Sequence, residues 1–147
     1  MSTVLRSPIP KALDSFDAIT CTLNDTGLKA ADIDYVNAHA TSTPAGDRSE
    51  AHAFRNTFTD VGATPRVSST KGLTGHPLSM AGMMEAAFCA LAIKEKLIPG
   101  NVHLQTPDEA CDGLDLPRAT LEEASQTVLT TSSGFGGSND GLIFRQS

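Results

Sequence analysis

Three stretches gather the side chains with which this chain could do chemistry. Asn37–Glu50, NAHATSTPAGDRSE, holds an imidazole (His39), two hydroxyls (Thr41 and Thr43) and two carboxylates (Asp47 and Glu50). Val67–Ala87, VSSTKGLTGHPLSMAGMMEAA, holds Lys71, His76 and Glu85. Thr130–Phe144, TTSSGFGGSNDGLIF, holds the run Gly134, Phe135, Gly136, Gly137. An imidazole N–H can donate to an oxygen on which negative charge is building. Glu85 interrupts an otherwise apolar helix face, and a buried charge needs a partner of opposite sign. Asp47 and Glu50 stand three apart at a helix start, so they share a face and favour the helix dipole. Thr41 and Thr43 also suit simple turn capping. The glycines permit unusual backbone angles and movement, although a Gly-rich turn between two strands is, by itself, a hairpin.

The elements that must hold these residues follow from apolar spacing. Leu13, Phe16, Ile19 and Leu23 predict a helix from Lys11, ended by Asn24, Asp25 and Gly27. Ile33–Ala38 reads as a strand, and Ala51, Phe54 and Phe58 put a second helix over 46–58. Arg66–Thr70 reads as a short strand. Pro77 suits a first helical turn, and the helix after it runs to about Lys96. That helix is apolar nearly all round, so it is expected to be buried. Ile98–Leu104 is expected to be extended, and Thr106–Leu116, rich in Pro, Asp and Gly, to be a loop. Thr127–Ser133 and Leu142–Arg145 read as strands joined by the Gly-rich stretch 134–141. Strand and helix alternate, which argues an α/β fold with a largely buried sheet. Each of the three polar stretches then follows an apolar strand, where ligand sites form in such folds.

The 147 residues suit a single domain with a real core. Hydrophobic residues make up 39%, which excludes global disorder. The net charge of −6 and the absence of a basic run argue against nucleic acid and acidic membranes as partners. The longest apolar run, Ala81–Ile93, is too short to span a bilayer. No secretory signal stands at the N-terminus. Three cysteines, Cys21, Cys89 and Cys111, form no close pair, which reads as a reducing cytoplasm. No CxxC, HxxxH or HExxH spacing exists, so no metal or cofactor is expected.

The three stretches, in this order and spacing, resemble signature stretches in the C-terminal half of β-ketoacyl-acyl carrier protein synthases. These are the condensing acyltransferases of fatty acid and polyketide synthesis. The stretch Ile98–Pro107, IPGNVHLQTP, resembles them as well, and the likeness covers roughly residues 24–147. It implies the second half of a thiolase fold, a layered α-β-α-β-α structure, with residues 11–147 as the half-domain and residues 1–10 as a loose lead-in. The lead-in is too short for the family's first long strand plus a connector. The sheet is therefore expected to lack its first strand, and an exposed edge and apolar layer to invite self-association.

The resemblance assigns roles. His39 and His76 would donate to the enolate oxygen formed when a malonyl thioester loses CO₂. Lys71 and Glu85 would form a buried ion pair beside them, a pairing that Glu85's place in an apolar helix face supports without the resemblance; the alternative is a snorkelling lysine and an edge glutamate. Thr41 and Thr43 would bond the phosphopantetheine arm of an acyl carrier protein, and Asp47 and Glu50 would support them from behind. Gly134–Gly137 would form a mobile gate, with Phe135 closing the acyl pocket and offering its N–H to the acyl oxyanion. Ala40, Thr131 and Ser133 depart from the family's usual Gly, Asn and Phe. The family's nucleophilic cysteine belongs to the first half. Here Cys21 lies mid-helix, Cys89 lies in the apolar helix, and Asp108 and Glu109 raise the pKa of Cys111. The isolated chain is therefore expected to be inactive. Two functions follow: the histidine-bearing half of a condensing enzyme, working with an N-terminal half, or a non-catalytic partner subunit or truncated remnant.

Overall fold

A computed structural model describes residues 2–6 and 14–147. Five strands form one sheet: β1 (Ser2–Arg6), β2 (Tyr35–Asn37), β3 (Arg66–Ser68), β4 (Thr127–Gly134) and β5 (Ser138–Gln146), in the order β1-β5-β4-β2-β3. β2 pairs in parallel with both β3 and β4, while β5 runs antiparallel to β4 and β1. The carboxyl ends of β2, β3 and β4 therefore open on the same edge of the sheet. All three polar stretches leave from that edge.

Helices α1 (Ser15–Thr26), α2 (Pro44–Thr57), α3 (Lys71–Thr74) and α4 (Ala81–Glu95) connect the strands. Asp14 starts α1 by accepting the Asp17 N–H at 2.9 Å. Gly27 ends α1 in the left-handed region at φ 69°, which its lack of a Cβ permits. Successive strand residues point to opposite faces, and the core divides accordingly. On one face, Val36, Val67, Leu129 and Ile143 pack with Ile19 and Leu23 of α1 and Phe54 of α2. On the other, Tyr35, Val128 and Phe144 pack with Cys89, Ala92 and Ile93 of α4.

Several expectations need correction. The first strand is present: Ser2–Arg6 pairs with Leu142–Gln146 along the outer edge of β5. Five extended residues suffice for that pairing, without a long strand. Pro8, Pro10, Lys11 and Leu13 lie outside the described residues. α4 is not buried all round. Ala81, Glu85, Cys89, Ala92 and Ile93 face inward, but Met83 is 76% exposed and Leu91 50% exposed. The helix packs against the sheet on one side only. Pro77 precedes a 3₁₀ turn, Leu78–Met80, rather than entering α4 directly. Within Ile98–Leu104 only Ile98 pairs, with Leu121. The chain turns instead at Gly100, where a Cβ would collide with the Ala119 backbone. The stretch 134–141 is mostly strand, because Gly136 and Gly137 at φ 86° and 81° close a tight turn. No helix among the described residues is long and apolar enough to cross a membrane.

Candidate active site

Two imidazoles meet at the sheet's carboxyl edge. The rings of His39, just after β2, and His76, after α3, lie 5.4 Å apart and perpendicular. His39 is half-buried and His76 exposed. Burial, then the charge of Lys71, then His76, push the His39 imidazole down to about 4, so it is neutral at physiological pH. It is thus set to act as a neutral hydrogen-bonding group.

The turn bearing His39 is clamped from outside its own element. One carboxylate oxygen of Glu50 accepts the His39 N–H at 2.9 Å and the other accepts the Ala40 N–H at 2.8 Å. The Thr131 hydroxyl donates to the same carboxylate at 2.6 Å. Glu50 thus turns inward from α2 and does not cap that helix. Within reach of His39 electrostatically, Lys71 and Glu85 form an ion pair with side chains 5% and 3% exposed. Burial raises the Glu85 carboxyl, and Lys71 opposes that rise. The buried pairing, rather than a snorkelling lysine, is the arrangement found.

Thr41 and Thr43 stand together, their hydroxyls 3.3 Å apart. Thr43 occupies the N-cap position of α2, yet its side chain does not cap the helix. A Cβ at Gly46 would lie 2.5 Å from the Thr43 hydroxyl, so a glycine there leaves that group its room. Burial raises the Asp47 carboxyl against the pull of the Ser42, Thr43 and Thr41 backbone N–H groups. The turn Phe135–Gly137 stands at the tip of the β4–β5 hairpin. Phe135 is fully exposed there and belongs to neither core cluster.

Residues 5–105 match the family model "Beta-ketoacyl synthase, C-terminal domain". The chain belongs to this family. This β-ketoacyl synthase C-terminal domain is 38% identical to 3-oxoacyl-acyl-carrier-protein synthase 2 of Staphylococcus aureus, over 96% of the chain and 35% of that protein. It is 41% identical to the protein of the same name from Coxiella burnetii, over 92% of the chain and 33% of that protein. The chain thus spans about a third of the length of these relatives. Among solved structures, a β-ketoacyl synthase from Burkholderia phymatum overlays with a TM-score of 0.85 at 30% identity, covering 99% of this chain and 36% of that one. A type II polyketide synthase acyl-carrier protein in complex with its ketosynthase gives 0.81 at 25% identity, covering 99% and 37%.

The remaining groups of this ketosynthase domain divide into inert and supporting. Cys89 is buried, and burial pushes its thiol up to about 12. Cys111 is half-buried and raised by burial first, then by Asp108 and Asp47. Cys21 lies within α1. Sequence reasoning missed Asn101, which holds the end of β3. It accepts the Ser69 N–H at 3.1 Å and donates to the Val67 carbonyl at 2.9 Å and the Pro117 carbonyl at 3.2 Å. Also missed was the buried set beneath the histidines, where the Tyr35 hydroxyl lies 2.9 Å from the Ser68 hydroxyl and accepts from the Asn37 amide at 3.1 Å. The available signal was an Asn inside an apolar strand, which demands a buried partner.

Proposed function

We propose that this chain supplies the histidine-bearing half of an enzyme that joins an acyl thioester to malonyl-acyl carrier protein by decarboxylative condensation. The observation that carries the reading is the pair His39–His76, with His39 neutral and its backbone clamped. In that reaction the malonyl thioester loses CO₂, and the electron pair of the broken bond forms an enolate. The carbanion carbon attacks the acyl thioester held on a cysteine of the first half, and the cysteine leaves as thiolate. His39 and His76 donate to the enolate oxygen while charge builds there. Lys71, paired to Glu85, keeps a cation near His39, which discourages imidazolium there and favours its neutral form. Thr41 and Thr43, whose exposed hydroxyls meet each other at 3.3 Å, hold the phosphopantetheine arm. Phe135 on its glycine-flanked tip gates the acyl pocket and offers its N–H to the acyl oxyanion.

Cys89 is buried and its thiol pushed up, Cys111 is raised by burial first and then by Asp108 and Asp47, and Cys21 lies within α1, none of them the setting of a nucleophile. That supports a division of labour with a separate first half. It also favours, for the chain alone, a second reading as a non-catalytic partner; two of the similar structures are described as ketosynthase/chain length factor proteins.

The test is reconstitution with a first half bearing the cysteine, measuring acylation and decarboxylation separately. His39→Ala and His76→Ala are each expected to slow decarboxylation by about a hundredfold to a thousandfold and to affect acylation less. Parental decarboxylation in both variants overturns the reading.

A further inference from the structure

The β2–β4 ladder stops one residue short of the catalytic turn. Its last pair is Asn37 with Thr130. The next residue on β4, Thr131, is buried, and its side chain supplies what the ladder no longer does. The Thr131 hydroxyl lies 3.3 Å from the His39 N–H and donates to Glu50 at 2.6 Å. Glu50 in turn accepts the N–H groups of His39 and Ala40. A hydroxyl from β4 and a carboxylate from α2 thus close on two successive amides of the turn after β2. That turn needs holding, because Ala40 sits at φ 20° and Ser42 at φ 65° without being glycine.

We propose that Thr131 is a positioning residue for His39: through Glu50 and the His39 N–H it fixes where the imidazole stands. Ser or Thr suits the task, since one hydroxyl can accept from the amide while donating to the carboxylate. A valine of the same shape can do neither. Thr131 itself does not reach the reacting atoms. The proposal rests on the reading of His39 as a donor to substrate, but its first measurement involves no substrate.

That measurement is amide hydrogen exchange in the full chain, comparing the parent with Thr131→Val and Thr131→Ser. In Thr131→Val the amides of His39 and Ala40 are expected to exchange about tenfold faster, the size expected for one lost hydrogen bond. The core amides of Leu129 and Ile143 keep parental protection, and Thr131→Ser restores both turn amides. The second measurement is decarboxylation in the pair reconstituted with the first half. Thr131→Val is expected to lose about tenfold to a hundredfold in kcat with KM little changed, as displacement of a reacting group does, and Thr131→Ser to recover it. Parental exchange at His39 and Ala40 in Thr131→Val overturns the proposal. So does loss of protection throughout the sheet, since Thr131 then holds the fold and not the turn. A kcat equal to the parent's despite loosened amides also overturns it, provided His39→Ala is impaired in the same assay. If His39→Ala is itself unimpaired, the functional reading fails instead, and the exchange result still decides whether Thr131 fixes the turn.

Discussion

The two faces of the sheet are finished differently. α1 and α2 bury Ile19, Leu23 and Phe54 against one face, with Phe58 just after α2, and their outward sides carry Asp17, Asn24, Asp25, Arg48, His52 and Asn56. α4 buries Cys89, Ala92 and Ile93 against the other, but its outward side carries Met83, Ala87 and Leu91, one above the next at helical spacing. Leu73, Leu78 and Met80 just before α4 are also more than half exposed. Water meets mostly polar side chains over α1 and α2, Phe16 apart, and a row of apolar ones over α4 before the exposed Lys94 and Glu95 at its end. A helix that is apolar on both sides is one that lies between two layers. This accords with a layered fold, and Glu85, the buried carboxylate paired with Lys71 of α3, lies on the inward side of that same helix.

The comparison sharpens first on the inward side. Lys71→Ala leaves Glu85 without its cation in a buried position. At pH 7 it is expected to lower unfolding stability by about 3–5 kcal/mol, read from urea denaturation. Because burial raises the Glu85 carboxyl, acidification protonates it and the loss shrinks. A loss below about 1 kcal/mol, in the range of exposed pairs, removes the claim that this side of α4 is closed to water.

A smaller effect tests the burial of His39. Its imidazole is held down to about 4 against an ordinary value of 6.5. Above 6.5 neither the folded nor the unfolded chain is protonated there. As pH falls from 6.5 toward about 4, the unfolded chain binds a proton that the folded chain refuses, so stability falls. Between about pH 7 and pH 4.5 the Tm of the parent is expected to drop more steeply than that of His39→Gln. Parallel profiles count against a buried, neutral His39.

The smallest effect on stability, and the most telling for the comparison, is on the outward side. Met83→Glu with Leu91→Glu is expected to change unfolding stability by no more than about 0.5 kcal/mol while abolishing self-association of the parent chain, measured by light scattering. A parent that stays a compact monomer at high concentration breaks the contrast between the faces.

Much of the site was legible because its signals are local. HATST and KGLTGH stand at the ends of apolar strands, and Glu85 breaks an apolar run, so the need for a buried partner is visible in the residues themselves. Gly27 marked the end of α1 for the same reason. What escaped is carried by partners distant in sequence. Glu50 looked like a helix-start acid because its neighbours in sequence are α2; the amides it holds lie ten and eleven residues back. Thr131 meets Glu50, 81 residues away from it along the chain, only because β4 lies beside β2. The exposed side of α4 was hidden for a different reason. Uniform apolarity says that a helix is to be covered, but not which side its own chain covers. The strands on either side of Gly136 run closer together than the apolar residues alone imply, because glycines signal a turn without giving its length.

The pairing of β1 with β5 bears on how the chain reaches this structure. β4 and β5 adjoin in sequence and zip up across a short turn. β1 must join Ser2 to Gln146 and Arg6 to Leu142, partners separated by almost all the residues described. Loop entropy must be met before the first of those rungs forms, and pairings of such range are slow. β1 waits, in effect, for the last strand to be made. In that interval β5 is bonded to β4 on one side and presents bare N–H and C=O groups on the other, a template on which a strand of another copy can settle. Disrupting β1 is therefore expected to prolong that exposure and to raise strand-to-strand aggregation during refolding.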